Sequence, residues 1–127
     1  MKGKSTMEKD NIISNILIKK QLESKIKQLL IEIGIKPHIK GFKYWTTAIL
    51  YAIEQESKGE ELGKFMELYR YIGKKHKATI YKVERDMRYA HQELSLKEVF
   101  NVPYSINNTA FLFLIKEKIL SENNVFC

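Results

Sequence analysis

The stretch from Glu60 to Leu94 constrains the fold of this chain more than any other. It reads as two amphipathic helices joined by a tight turn, the second carrying a basic outward face. Leu62, Phe65, Met66, Tyr69 and Ile72 recur at helical spacing along the first helix. Lys75-His76-Lys77 interrupts the pattern. Thr79 is then placed to cap the next helix, its hydroxyl oxygen accepting from an otherwise unpaired backbone N–H. In that second helix Val83, Met87, Ala90 and Leu94 form a single apolar stripe. Tyr81, Arg85, Arg88 and Gln92 fall almost opposite it, with Lys82, Glu84 and Tyr89 on its flanks. One side packs while the other offers guanidinium, amide and phenol groups, as a helix entering a DNA major groove must.

Gly73 supplies the small residue needed where two such helices cross closely, and Val83 lies where an apolar side chain packs into their angle. Lys77 stands where the turn of a helix-turn-helix commonly wants a left-handed residue. A lysine in that conformation costs about 1–2 kcal/mol. The competing reading is a pair of core helices with an ordinary solvated basic face. Charge favours contact with a polyanion. The chain carries a net charge of +7, and Lys64–Gln92 holds eight Lys/Arg against three acids. The DNA reading makes one structural demand: Arg85 and Arg88 must not be tied up in intramolecular pairs or covered by the last helix.

Around this unit the remaining pattern is helical throughout. Residues 1–10 are polar and mixed in charge, which predicts a flexible N-terminal arm. Helical domain 11–127 opens with Ile12, Ile13, Ile16 and Leu17, followed by Leu22, Ile26, Leu29, Leu30 and Ile33. These form one long helix or two pieces bending near Lys19-Lys20, ended by Gly34. Pro37 makes the next residues a connector. Gly41 opens a helix with Trp45, Ala48, Ile49, Ala52 and Ile53 inward. Tyr44 and Tyr51 share one side of it, as core residues or base-stacking groups. Lys40 and Lys43 at its start are within reach of a phosphate. Ser57-Lys58-Gly59 breaks the chain before the central unit. Ser95 caps a short helix, Leu96–Phe100, and Pro103 follows its end. Asn107 or Asn108 caps a last helix striped by Phe111, Leu112, Ile115 and Ile119. Phe113 and Leu114 widen that apolar surface, which suits self-association or complete burial alike. The fold expected is therefore all-α, a single-domain bundle of about five or six helices with a helix-turn-helix at about 60–94.

Several functions find no support. No apolar run approaches the ~20 residues that span a bilayer, and no secretory signal is recognisable. The one cysteine, Cys127, permits no internal disulfide and suits a reducing cytoplasm. His38, His76 and His91 have no partner at metal-ligand spacing. His91, beside the apolar stripe, reads as structural. Neither a nucleophile motif nor a Gly-rich phosphate loop occurs. Glu54, Glu56, Glu60 and Glu61 read as a solvated helix end. An enzyme is not expected, and no cofactor or metal is implied.

The residues also resemble a known family. Ile33-Gly34-Ile35, then His38-Ile39-Lys40-Gly41-Phe42-x-Tyr44, Lys74-Lys75, and Val83-Glu84-Arg85-x-Met87-Arg88-x-Ala90 are similar to the C-terminal DNA-binding (effector) domain of stage-zero sporulation protein A. The resemblance runs from about Leu22 to Gln92, and more loosely to Leu120. It implies an all-helical bundle that binds duplex DNA sequence-specifically, with the second helix of the motif in the major groove. Glu84, Arg85 and Arg88 match the family's recognition-helix residues. Lys82 stands for an arginine, and Tyr81 and Tyr89 replace the usual Ser and His, so base preference should differ. The region after Gln92 is shorter and lacks the family's tryptophan, which bears on dimer contact through the last helix. No aspartate-bearing receiver unit precedes residue 22, so activation by phosphorylation is not carried over.

The function expected is a transcription regulator binding double-stranded DNA. Arg85 and Arg88 read guanine, Glu84 orients an arginine or accepts from cytosine, and Tyr81 and Gln92 reach base edges. Lys40, Lys74, Lys75, Lys77, Thr79 and Lys82 hold phosphates. Partners are DNA, RNA polymerase and a second copy through the last helix, with no membrane. The alternative is an interaction module, pairing with a full-length relative or RNA polymerase, that kept the fold and lost specific readout.

Overall fold

The computed structural model describes residues 2–61, 63–92, 94, 100 and 106–123, with side chains from Asn15 to Glu122. Five helices occur among these: α1 (Lys2–Glu32), α2 (Lys40–Ser57), α3 (Phe65–His76), α4 (Ile80–Gln92) and α5 (Asn108–Asn123). The fold is all-α, as expected. The short helix expected over 96–100 falls, apart from Phe100, outside the described residues.

α1 is one continuous helix and begins at Lys2, where an arm was expected. No proline interrupts that span, so nothing in the backbone forces a break. Its second half packs. Ile26, Leu29, Leu30 and Ile33 are buried, whereas Ile16, Leu17 and Ile18 remain about half exposed (49–60%). Gly34, at φ +111°, ends the helix, and the Ile35 N–H returns to the Leu30 carbonyl.

α2 is the centre of the bundle and touches each of the other four helices. Its burial is broader than the five-residue face read from the sequence. Phe42, Tyr44, Thr46, Thr47 and Leu50 are buried as well. Tyr44 is thereby a core residue, not a stacking platform. Tyr51 lies half-buried against Tyr71, ring centroids 4.4 Å apart. The buried threonines are satisfied: Thr46 Oγ1 donates to the Phe42 carbonyl, and Thr47 Oγ1 sits 2.7 Å from His76 Nε2.

α3 starts at Phe65, later than the pattern suggested, because Gly63 takes a left-handed φ of +76°. Its inward residues are Leu68, Tyr69, Ile72 and Gly73, while Met66 faces solvent. Gly73 is required by close approach: a Cβ there would lie 2.5 Å from the Ala78 carbonyl oxygen in the turn. α5 buries Phe111, Leu112, Ile115 and Ile119 and leaves Phe113 57% exposed. Asn107 is its cap, accepting from the Ala110 N–H.

Candidate nucleic-acid interface

The turn between α3 and α4 is built as the sequence suggested. Lys77 adopts φ 56°, ψ 51°, and the Lys77 and Ala78 N–H groups both reach the Gly73 carbonyl. Thr79 Oγ1 accepts from the Lys82 N–H at 3.1 Å, closing the first turn of α4. Its own hydroxyl proton stays available to an outside acceptor. Replacing Lys77 with glycine should stabilise the fold by about 0.5–1 kcal/mol, the relieved strain exceeding the added freedom of the unfolded chain. A melting temperature raised by a few degrees is the expected readout; no rise would mean the left-handed lysine carries no strain.

α4 is held by its apolar seam. Val83 and Met87 are completely buried and Ala90 nearly so. Trp45 Nε1 donates to the Met87 carbonyl at 2.8 Å, which fixes α4 along α2. Gly41 allows the two backbones to meet, since a Cβ there would lie 2.5 Å from the Asp86 carbonyl oxygen. The far end is fixed by a buried polar cluster. His91 Nε2 lies 2.7 Å from Asn108 Oδ1, and Asn108 Nδ2 donates to the Tyr69 hydroxyl and the Glu84 carbonyl. The His91 ring stacks on Phe111 at 4.5 Å, and burial pushes its pKa down, keeping the imidazole neutral. His91 is therefore structural, as its position beside the stripe implied.

The opposite face of α4 is open. Tyr81 is 70% and Tyr89 58% exposed, with Lys82 and Gln92 also at the surface. Arg85 and Arg88 lie between them, their side chains 36% and 42% exposed. The demand that both guanidinium groups be unpaired is not met. Arg88 Nε binds Glu84 Oε1 at 2.9 Å, and Arg85 Nε lies 3.5 Å from Asp86 Oδ1. Glu84 raises the Arg88 pKa through that hydrogen bond. Pairs this exposed are weak and exchange readily for another acceptor. Each uses Nε and leaves the terminal nitrogens to a partner. Both cations also lie near tyrosine rings, Arg85 by Tyr81 at 5.7 Å and Arg88 by Tyr89 at 5.0 Å.

Lys74, Lys75, Lys77 and Lys82 are exposed, and none is within ion-pair distance of a carboxylate among the described residues. Lys40 stands at the start of α2, whose N-terminus has no side-chain cap, and shares a groove with Tyr89. Arg70 was missed by the sequence reading. It lines a shallow groove with Lys74 and Thr79 beside the turn, and its i,i+4 spacing from Lys74 was the available signal. His76, against Tyr44 and Thr47, is held below its ordinary pKa by burial and by Lys43 and Lys75.

The geometry is that of a helix-turn-helix with one cationic, aromatic-flanked face. No helix among the described residues is long and apolar enough to cross a membrane, and none of their acidic, His or Cys side chains form a metal-binding group. A family model described as "Sporulation initiation factor Spo0A C terminal" matches residues 26–119, from the packed half of α1 into α5.

Proposed function

The chain belongs to the family of Spo0A C-terminal domains, a family of DNA-binding effector domains, and from that premise we propose that it is a sequence-specific, duplex-DNA-binding transcription regulator. The observation that carries the reading is the seating of α4. Its seam is buried and pinned by the Trp45 bond, so the face bearing Tyr81, Arg85, Arg88 and Gln92 projects outward. Arg85 and Arg88 read guanine edges after exchanging their carboxylate partners, and Glu84 positions Arg88 until they do. Lys40, Lys74, Lys75, Lys77, Thr79 and Lys82 hold the flanking phosphates, joined by Arg70.

The test is selection of binding sites from a random duplex pool, followed by titration at several salt concentrations. One enriched motif is expected. Lys75→Ala should weaken all sequences alike and flatten the log–log salt dependence by about one unit. The carboxylate pairs on both arginines favour a second reading, an interaction module without specific readout. Weak, salt-sensitive binding with no enriched motif would establish that reading instead.

A further inference from the structure

Arg88 has two intramolecular partners on the outward face of α4. Its Nε donates to Glu84 Oε1 at 2.9 Å. Its Cζ also stands over the ring of Tyr89, 5.0 Å from the centroid. The two contacts differ in what they leave free. The carboxylate occupies a guanidinium donor and competes with any outside acceptor for it. The aromatic ring attracts the cation through its quadrupole and occupies no donor.

Tyr89 is itself firmly based. Its neighbours Asp86 and Ala90 form the point where α4 meets the Gly41 backbone, so close that a Cβ on Gly41 would lie 2.5 Å from the Asp86 carbonyl oxygen. Tyr89 lines the groove at that contact together with His38, Ile39 and Lys40. The backbone carrying the ring therefore cannot shift without moving a packed helix, while the residue stays 58% exposed. Tyr81, the other tyrosine on this face, is placed more loosely, 5.7 Å from Arg85 and 70% exposed.

An arginine that reads a base must bring its fork into the plane of the base pair, and ordering so long a side chain opposes binding. Once a guanine edge displaces Glu84, the side chain can be restrained further only by a partner that leaves its donors free. We propose that Tyr89 is the positioning residue of Arg88, its ring holding the guanidinium in place both beside Glu84 and after Glu84 has let go. The inference rests on α4 being a DNA-recognition helix and adds a determinant of sharpness at one base pair. Tyr89 does not read the base; it restrains the group that does.

Site selection and titration on the full chain test this, the relevant base position being the one that Arg88→Ala relaxes. Tyr89→Leu removes the aromatic face and keeps apolar bulk. It should reduce discrimination at that position about two- to fivefold, the size of an exposed cation–π contact. The salt dependence should not change, because no phosphate contact is lost. Tyr89→Phe keeps the ring and should match the parent. In an Arg88→Ala background Tyr89→Leu should change nothing further at that position, as expected of two residues acting through one contact. Without DNA, the ring should shift the Arg88 δ-proton resonances upfield, and Tyr89→Leu should return them to ordinary values. Unchanged discrimination in Tyr89→Leu, with a motif still enriched by the parent, overturns this proposal and leaves the DNA reading standing. So does a Tyr89→Phe variant as impaired as Tyr89→Leu, which would assign the role to the hydroxyl. A parent that enriches no motif overturns the DNA reading itself, and this inference falls with it.

Discussion

Gly41→Ala is expected to destabilise the fold by about 3 kcal/mol, combining overpacking with strain on a buried hydrogen bond. On an exposed helix the same change raises stability, by up to about 1 kcal/mol of helix propensity. Here the new methyl would stand 2.5 Å from the Asp86 carbonyl oxygen and 2.7 Å from the Ala90 Cβ. Neither neighbour is the movable end of a long side chain. α4 has to back away from α2, and that displacement works against the Trp45 bond to the Met87 carbonyl. The loss is a large share of a stability that in domains of this size is about 5–15 kcal/mol. A denaturation midpoint should fall accordingly, with DNA affinity falling alongside because the helix that moves is the one facing outward. A midpoint unchanged or raised would show that the two backbones are not in contact.

Gly41 also shows where the sequence stops being readable. Its role depends on Asp86 and Ala90, more than forty positions away, and no local pattern announces such an approach. What was legible is what local chemistry decides. The Val83–Met87–Ala90 seam follows from helical period, the Thr79 and Asn107 caps from their short side chains, and the end of α1 from Gly34. Met66 was misread because Gly63 delays α3 and Leu68 takes the inward position. α2 was read too narrowly because Thr46 and Thr47 count as polar in a pattern, although each finds a partner inside the bundle. The polar cluster of Tyr69, His91 and Asn108 joins three helices and has no signature in any one of them.

The arginine pairs are a different kind of miss. Glu84 and Arg88 stand four apart, a spacing that favours an ion pair on any exposed helix, and Arg85 adjoins Asp86. The sequence carried that information, but a helix read as facing DNA has both its own carboxylates and the bases as candidate partners. Their coexistence fits a site in which weak, exposed carboxylate pairs hold the cations in place and yield when a guanine edge offers two acceptors in bidentate geometry.

That exchange fixes what Arg88 variants should do. Arg88→Ala is expected to weaken binding to the selected DNA motif about ten- to a hundredfold and to relax one base position, the loss of a bidentate contact. Arg88→Lys separates charge from geometry. It retains the cation but not the fork, so it should keep the salt dependence of the parent while still losing preference at that position. Glu84→Gln should act oppositely on the free protein, releasing Arg88 from its 2.9 Å contact without removing the reader. Sharper preference at that base would mean the carboxylate competes with DNA; blunter preference would mean it positions the guanidinium in the complex too. The side chain lies on the outward face of α4, so Arg88→Ala should leave the denaturation midpoint almost unmoved. Intact stability with unaltered affinity and base preference would remove Arg88 from the interface and leave the two tyrosine-flanked arginines as surface ion pairs only.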